Sequence, residues 1–262
     1  MRALYTAATG MAAQELNVQV ISNNIANLRT TGYKKQRAAF QDLIYDHVRR
    51  VGAQASDQGT ILPVGVDIGG GVKTVGTPRL MSQGTLSPTG NDLDIAVRGE
   101  GFFKIQMPDG TYAYTRDGSF QMDAQGRVVT AQGNPVQPTL TIPQNASGIS
   151  INAQGQLSVT LPGSTTPTTV GQIGLTRFIN KAGLNPIGDN LFTDTPASGT
   201  PQDGIAATDG YGDMQQSNLE QANVEVVTEI SDLIAAQRAY EMNAKVVSAA
   251  DQMLQSTSNM FR

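Results

Sequence analysis

The sequence has no cysteine, which excludes disulfide staples, zinc–thiolate sites and thiol nucleophiles. It has no tryptophan, and aromatic residues make up only 5% of the chain. A carbohydrate-active cleft, which needs an aromatic platform and a pair of carboxylates, has little to be built from. Histidine occurs once, as His47, so a multi-histidine metal site is excluded. A serine–histidine–aspartate triad would have to use this histidine, which lies in a charged segment with Asp46 and Arg49 and no nucleophile motif nearby. It reads as a surface or partly packed residue. No apolar run approaches the ~20 residues that cross a bilayer. The first residues are not a secretory signal, because Thr6, Thr9, Gln14 and Glu15 interrupt the segment after Arg2. The expectation is a cytosolic chain or one exported without a cleaved signal. Positive charge does not dominate either: 18 Lys and Arg stand against 22 Asp and Glu, the wrong balance for a duplex-binding surface. Locally Arg29, Lys34, Lys35, Arg37, Arg49 and Arg50 outnumber Asp42 and Asp46, and this segment reads as a solvated arm or a contact to an acidic partner.

What the chain does have is glycine, 28 residues, and 12 prolines, the punctuation of a turn-rich β body. Both ends differ from that body. Near the N-terminus Leu4, Met11, Val18 and Ile25 recur every seven residues, and Ala7, Gln14, Ile21 and Leu28 recur at an offset of three. This is the spacing of helices that pack lengthwise. Between Leu4 and Leu28 the only formal charge is Glu15, whereas a helix lying on a small domain normally has a charged outer face. Gly10 either weakens this helix by roughly 1 kcal/mol or admits a close neighbour. The C-terminal end repeats the rhythm with Val226, Leu233, Tyr240, Val247 and Leu254, flanked by Ile230 and Ala244. Acidic residues come early (Glu220, Glu225, Glu229, Asp232) and basic ones late (Arg238, Lys245), as the helix dipole favours. Ser217 with Glu220 offers a capping box, and Asn223 offers a later start. These helices pair either within one chain or between copies. Gln14 and Asn27 are candidates for fixing their register as buried polar groups.

In the middle, Pro108-Asp109-Gly110 and Arg116-Asp117-Gly118 bracket a strand around residues 112–115. Asp123-Ala124-Gln125-Gly126 and Asn152-Ala153-Gln154-Gly155 resemble each other and mark a repeated hairpin unit. Residues 95–105 read as an apolar strand pair interrupted by Gly99-Glu100-Gly101, and residues 161–170 as a loop or exposed hairpin. The stretch from Gly65 to Thr74 is glycine-rich, but Val72 separates its last glycine from Lys73. The phosphate-loop geometry is therefore absent, and a turn into a strand is the reading. Asp92 and Asp94 are the closest carboxylate pair in a strand context, yet Gly90 and Asn91 mark a turn there.

Specific motifs then carry a resemblance. Residues 22–34, S-N-N-I-A-N-L-R-T-T-G-Y-K, with Phe40 after them, resemble the rod motif of bacterial flagellar axial proteins; Asn24, Ala26, Asn27, Thr31, Gly32 and Tyr33 carry it. Residues 237–245, Q-R-A-Y-E-M-N-A-K, with 251–254, D-Q-M-L, resemble that family's C-terminal motif. Residues 99–103, G-E-G-F-F, and 114–120, Y-T-R-D-G-S-F, resemble its β-domain signature. The likeness runs through the chain in order and is strongest to the distal-rod branch. It implies an α+β fold: paired long N- and C-terminal helices, coiled-coil-like, with a central β-rich domain. The implied division is 1–45 as N-terminal helix and arm, 46–66 as a distal-rod-type extended insertion, 67–216 as a β-rich outer domain and 217–262 as the C-terminal helix. It also implies a structural, non-enzymatic subunit without cofactor or metal. Such a subunit polymerises with itself into a straight hollow shaft that passes torque to the hook. Proximal rod and hook subunits, the surrounding rings and the rod cap are the implied partners; nucleic acid and membrane insertion are not. The implied place is the basal body, across the periplasm, reached by the flagellar type III export route, with the ends disordered until assembly. Another axial protein, proximal rod or hook, is the alternative. The residues expected to drive polymerisation are Leu4, Met11, Val18, Ile21, Ile25 and Leu28 with Val226, Leu233, Tyr240, Val247 and Leu254.

Overall fold

The structure is a computed structural model and describes residues 2–50, 64–163 and 166–260. The fold is α+β, with two long helices that pack against each other and a β-rich middle. It divides into two compact units, one made of Met1–Ile25, Gln36–Pro78 and Glu225–Arg262, the other of Ala26–Lys35 and Arg79–Val224.

The first unit holds helix α1 (Arg2–Ala26) and helix α2 (Val226–Met260). Alanine and straight-chain residues dominate both, which suits the helical backbone. α2 begins later than the capping reading expected. Ser217 has a positive φ of 55°, and Asn218–Glu220 is a strand paired with Leu86–Pro88. Asn223 does not cap the helix either: its amide donates to the Leu80 carbonyl, and its oxygen accepts the Lys35 N–H. The first helical turn forms instead on Glu225, whose carbonyl accepts the Glu229 N–H at 3.0 Å and whose carboxylate accepts the Thr228 hydroxyl. Two antiparallel strand pairs complete this unit, Ala39–Asp42 with Val72–Gly76 and Tyr45–Arg49 with Val66–Gly69. The glycine-rich stretch at 65–74 thus holds parts of two successive strands, joined at Gly70-Gly71, that pair with different partners. Thr9 of α1 accepts the Val72 N–H, and Arg2 meets Asp46 at 2.5 Å. Residues 51–63, most of the expected insertion, lie outside the described residues.

The second unit is antiparallel throughout. Its largest sheet has five strands in the order Val136–Gln137, Phe103–Gln106, Tyr112–Thr115, Leu191–Thr193 and Asn185–Gly188. A three-stranded sheet runs Gly148–Ile151, Gln156–Thr160, Thr168–Gln172, so residues beyond 160 return as a hairpin arm. Ile95–Arg98 and Phe103–Gln106 are both strands but do not pair with each other; the first pairs with Asp213–Gln216. The turn at 99–101 sends the chain from one sheet to another rather than closing a hairpin. Consecutive side chains on a strand point to opposite faces. Phe103 accordingly enters the main core with Ile95, Ile105, Phe120, Leu157 and Ile173, while Phe102 joins a second cluster with Tyr114, Phe178 and Phe192. Edge-to-face rings tighten both clusters, Phe103 on Phe120 at 5.0 Å and Tyr114 on Phe178 at 4.8 Å.

The two similar turns form the same hydrogen-bond set. Gly126 N–H donates to the Asp123 carbonyl and Gly155 N–H to the Asn152 carbonyl. In each, the first side chain accepts two further N–H groups, of Gln125 and Arg127 in one and of Gln154 and Gln156 in the other. The glycine carbonyl then accepts the N–H of a buried isoleucine, Ile142 or Ile173. Both glycines have positive φ, 82° and 78°, which favours the residue without a Cβ.

Candidate assembly surfaces

The helix pair is antiparallel. Gly10 faces Asn243, and Asn24 faces Glu229. In this register no residue of α1 stands opposite the residues of α2 after Asp251. The seam of α2 is Glu229, Ala236, Asn243 and Ala250, of which all but Asn243 are buried. The buried residues of α1 are Ala7, Ala13, Val20, Ile21 and Asn24. A Cβ added at Gly10 would stand 3.0 Å from Asn243 Nδ2.

The heptad residues fall around this seam. Ile21 is buried, and Leu4, Met11, Val18 and Ile25 are half-buried. Leu28 lies beyond α1 and packs on Tyr33, Ala222 and Val224. On α2, Leu233 and Val247 are half-buried, while Val226, Tyr240 and Leu254 are exposed, at 38%, 43% and 44%. Val227, Ile230, Ile234, Met242, Val246 and Met253 are exposed as well. On α2 the innermost line is therefore offset by three from the apolar line read in the sequence, whereas on α1 Ala7 and Ile21 of the second heptad line are buried. Alanine takes much of the inside, with Ala7, Ala13, Ala236 and Ala250 buried beside Val20 and Ile21. Much of the apolar surface of α2 is left on the outside, each side chain of this size being worth about 1.5–3 kcal/mol if another surface covers it.

The rod motif makes the turn that follows α1. Asn24 Oδ1 accepts the Gln36 N–H, and its Nδ2 donates to the Gln36 carbonyl and to Glu229. Ala26 is the exposed last residue of α1. Asn27 accepts the Thr30 hydroxyl, and the Thr31 carbonyl accepts the Asn190 amide. Gly32 has a φ of 68°, and its N–H donates to the Glu220 carbonyl at 2.7 Å. Tyr33 is buried, with the Arg79 guanidinium over its ring. Gln14 is half-buried. Of the polar residues on α1, Asn24 is the one that is buried and bonded across the pair.

Lys34 was read as part of a solvated or partner-binding basic arm. The structure corrects this: Lys34 is 1% exposed and donates to Glu220 at 2.5 Å and to the Ser82 carbonyl. Glu220 is 1% exposed and also accepts Arg116 Nε at 2.9 Å and the Gly84 N–H. Arg116 fills its remaining donors with the carbonyls of Val97, Gly99 and Gly101. Burial lowers the Lys34 pKa, and the adjoining carboxylate opposes that. This cluster ties residue 34 of the rod motif, residue 116 of the β signature and the strand before α2. Sequence reading quoted Lys34 and Arg116 inside motifs but gave no signal that they converge, since 186 residues separate Lys34 from Glu220.

His47 lies on an exposed strand, its Nδ1 2.6 Å from Asp67. Asp94 accepts the Thr89 hydroxyl and the Asn91 amide; it closes a turn. Among the described residues, no helix is long and apolar enough to cross a membrane.

Three family models match along the chain: flagella basal body rod protein at residues 4–34, the flagellar hook protein FlgE/F/G D1 domain at 96–159, and the flagellar basal body rod FlgEFG protein C-terminal region at 215–260. The chain is 53% identical to the flagellar basal-body rod protein FlgG of Caulobacter vibrioides over 99% of both chains, and 47% identical to that of Agrobacterium fabrum over the whole of both. It is 32% identical to the flagellar basal-body rod protein FlgF of Caulobacter vibrioides, over 97% of this chain and 95% of that one. With likeness of this depth from end to end, the chain belongs to the flagellar basal-body rod protein family, among the FlgG proteins.

Proposed function

We propose that the chain is a structural subunit of the flagellar distal rod, polymerising into a straight hollow shaft that transmits motor torque to the hook. The observation that carries this is the 53% identity to an FlgG protein over 99% of the chain, against 32% to the FlgF protein of the same organism. The burial pattern supports it. A helix pair whose apolar residues stand outside its own seam has surface to offer to further copies. Copies related by one repeated, non-closing contact build a filament. The subunit acts without catalysis or cofactor. It meets the proximal rod, the hook, the encircling rings and, during growth, the rod cap. It leaves the cytoplasm through the flagellar export apparatus and works in the basal body across the periplasm. The segment 46–66 stiffens the shaft.

The test is electron microscopy of the concentrated full-length chain beside a Leu233→Asp/Tyr240→Asp variant. Straight tubes from the native chain and none from the variant, with the β-sheet signal of both unchanged, are expected. Curved or supercoiled tubes would move the chain toward a hook role, and normal tubes from the variant would defeat the helix-packing account.

A further inference from the structure

Arg116 and Glu220 form an ion pair that the β body completes by itself. Glu220 accepts Arg116 Nε and the Gly84 N–H, and the other donors of Arg116 go to the carbonyls of Val97, Gly99 and Gly101. All of these residues lie in the stretch Arg79–Val224. One cation faces one anion, so the pair is balanced. Lys34 comes from the arm that leads out of α1 and adds a second buried cation, 2.5 Å from Glu220. A surplus charge held away from water is costly, and the carboxylate and the Ser82 carbonyl are what offset it. A cavity of about 100 Å³ adjoins Lys34 and Arg116, so water has room to take the place of a departing ammonium.

The rest of the arm lies on the same surface. Gly32 N–H donates to the Glu220 carbonyl at 2.7 Å, Lys35 N–H donates to Asn223 at 2.8 Å, and the Lys35 carbonyl accepts the Leu80 N–H at 2.9 Å. These bonds use the arm's backbone, which any sequence offers; identity enters at Gly32, Tyr33 and Lys34. Gly32 sits so close that an added Cβ would stand 2.7 Å from the Asp117 nitrogen and 2.8 Å from the Arg116 carbonyl carbon. Against these contacts stand the entropy of fixing the arm and the surplus charge. The arm is continuous with α1, and residues 220–224 are continuous with α2. A seated arm therefore joins the roots of both helices at Glu220, whatever the state of the helices beyond it.

We propose that the Glu220–Arg116 pair is a socket of the body, and that Lys34 is a key that enters it as the subunit joins the shaft. The inference rests on the polymer reading. In a free chain the pair is satisfied without the arm, and seating buries a charge with little to offset it. In the shaft, neighbouring copies cover the outward apolar residues of the helices to which the arm is joined, and that burial supplies what seating lacks. The socket couples entry into the polymer to the joining of both helix roots, with Lys34 and Glu220 as positioning residues for assembly.

The test compares the full-length chain free in solution with the same chain in basal bodies isolated from cells that make it in place of their own distal-rod subunit. Brief acylation of amines, read peptide by peptide in the mass spectrometer, gives the rate at Lys34 relative to the urea-unfolded chain. Lys34 should react in the free chain within about threefold of the unfolded rate, and in basal bodies about tenfold or more slower. Two variants act on the arm alone: Gly32→Ala, which blocks the close approach, and Lys34→Glu, which sets two carboxylates together. In the free chain both should keep the native denaturant midpoint, and in basal bodies both should be depleted by about tenfold or more. Equal protection of Lys34 in the two states, equal reactivity in both, a lowered midpoint for free Gly32→Ala, or normal entry of either variant overturns the key and socket. Basal bodies that contain no native chain defeat the polymer reading and this inference with it, whereas native chain present with Lys34 unprotected defeats this inference alone.

Discussion

At the scale of the residue, identical backbone needs carry different costs. Gly110, Gly126 and Gly155 share a φ near 80°. An alanine Cβ at 110 meets nothing, whereas at 126 and 155 it would stand 2.3 Å and 2.7 Å from the carbonyl oxygens of Ile142 and Ile173. Gly110→Ala should lose about 1 kcal/mol, the strain of a left-handed backbone alone. The other two should lose more than about 2 kcal/mol, because backbone must move as well; denaturant unfolding of the three variants gives the order. The buried ion cluster makes a second ordering. Glu220→Gln leaves two buried cations without their anion, and about 3–5 kcal/mol is expected from breaking such a set. Lys34→Met should cost less, since Arg116 remains to face the carboxylate. A larger loss from Lys34→Met than from Glu220→Gln would mean that the lysine, not the glutamate, is the centre of the cluster. Tyr114 supplies a pH dependence. Burial first, then the charges of Asp194 and Asp203, push its phenol up to about 12 from an ordinary value of 10.0. The folded state holds this proton more tightly than the unfolded one, so stability is retained below pH 10 and falls as pH climbs from 10 to 12. Tyr114→Phe should flatten that alkaline slope in unfolding curves taken on either side of about pH 10.

At the scale of the element, the helix pair shows a conflict between propensity and packing. Glycine inside a helix costs roughly 1 kcal/mol relative to alanine, yet Gly10 stands against the Asn243 side chain of the partner helix. Gly10→Ala alone sets this gain against a contact of 3.0 Å with the Asn243 amide. Removing that amide resolves the conflict. In an Asn243→Ala background, Gly10→Ala should add about 1 kcal/mol of helix stability, seen as a later thermal loss of the helical circular dichroism signal. No gain there would mean that the glycine is needed for backbone approach rather than to make room for the amide. The paired turns at 123–126 and 152–155 make a complementary case, in which local chemistry and tertiary placement agree. An acceptor side chain opens each turn, glycine closes it, and the glycine carbonyl anchors a core isoleucine.

At the scale of the whole molecule, the last residues of α2 are exposed from Asp251 to Met260, among them Met253 and Leu254. After Asp251 they have no α1 residue opposite them and contribute little to the stability of a single chain. Deleting the residues after Asp251 should leave the unfolding midpoint within the scatter of small surface changes while abolishing tubes in electron micrographs. A large drop in the midpoint would assign these turns to the subunit's own stability instead.

The sequence alone determined the fold class, the identity of the two terminal helices, the repeated turns and the membership of the rod family, because each is written in short-range signals: heptad spacing, turn residues and contiguous motifs. Tertiary structure decided the rest. Which line of α2 rides inside depended on the surface it meets: Ala236 and Ala250 are buried, while Val226 and Tyr240 are exposed. The start of α2 depended on Glu220 being taken into an ion cluster with Lys34 and Arg116 rather than into a helix cap. The pairing of Ile95–Arg98 with Asp213–Gln216 instead of its sequence neighbour belongs to the same class. In each, the deciding partner lies about a hundred residues or more away, and a burial energy of a few kcal/mol outweighs a local preference of about 1 kcal/mol.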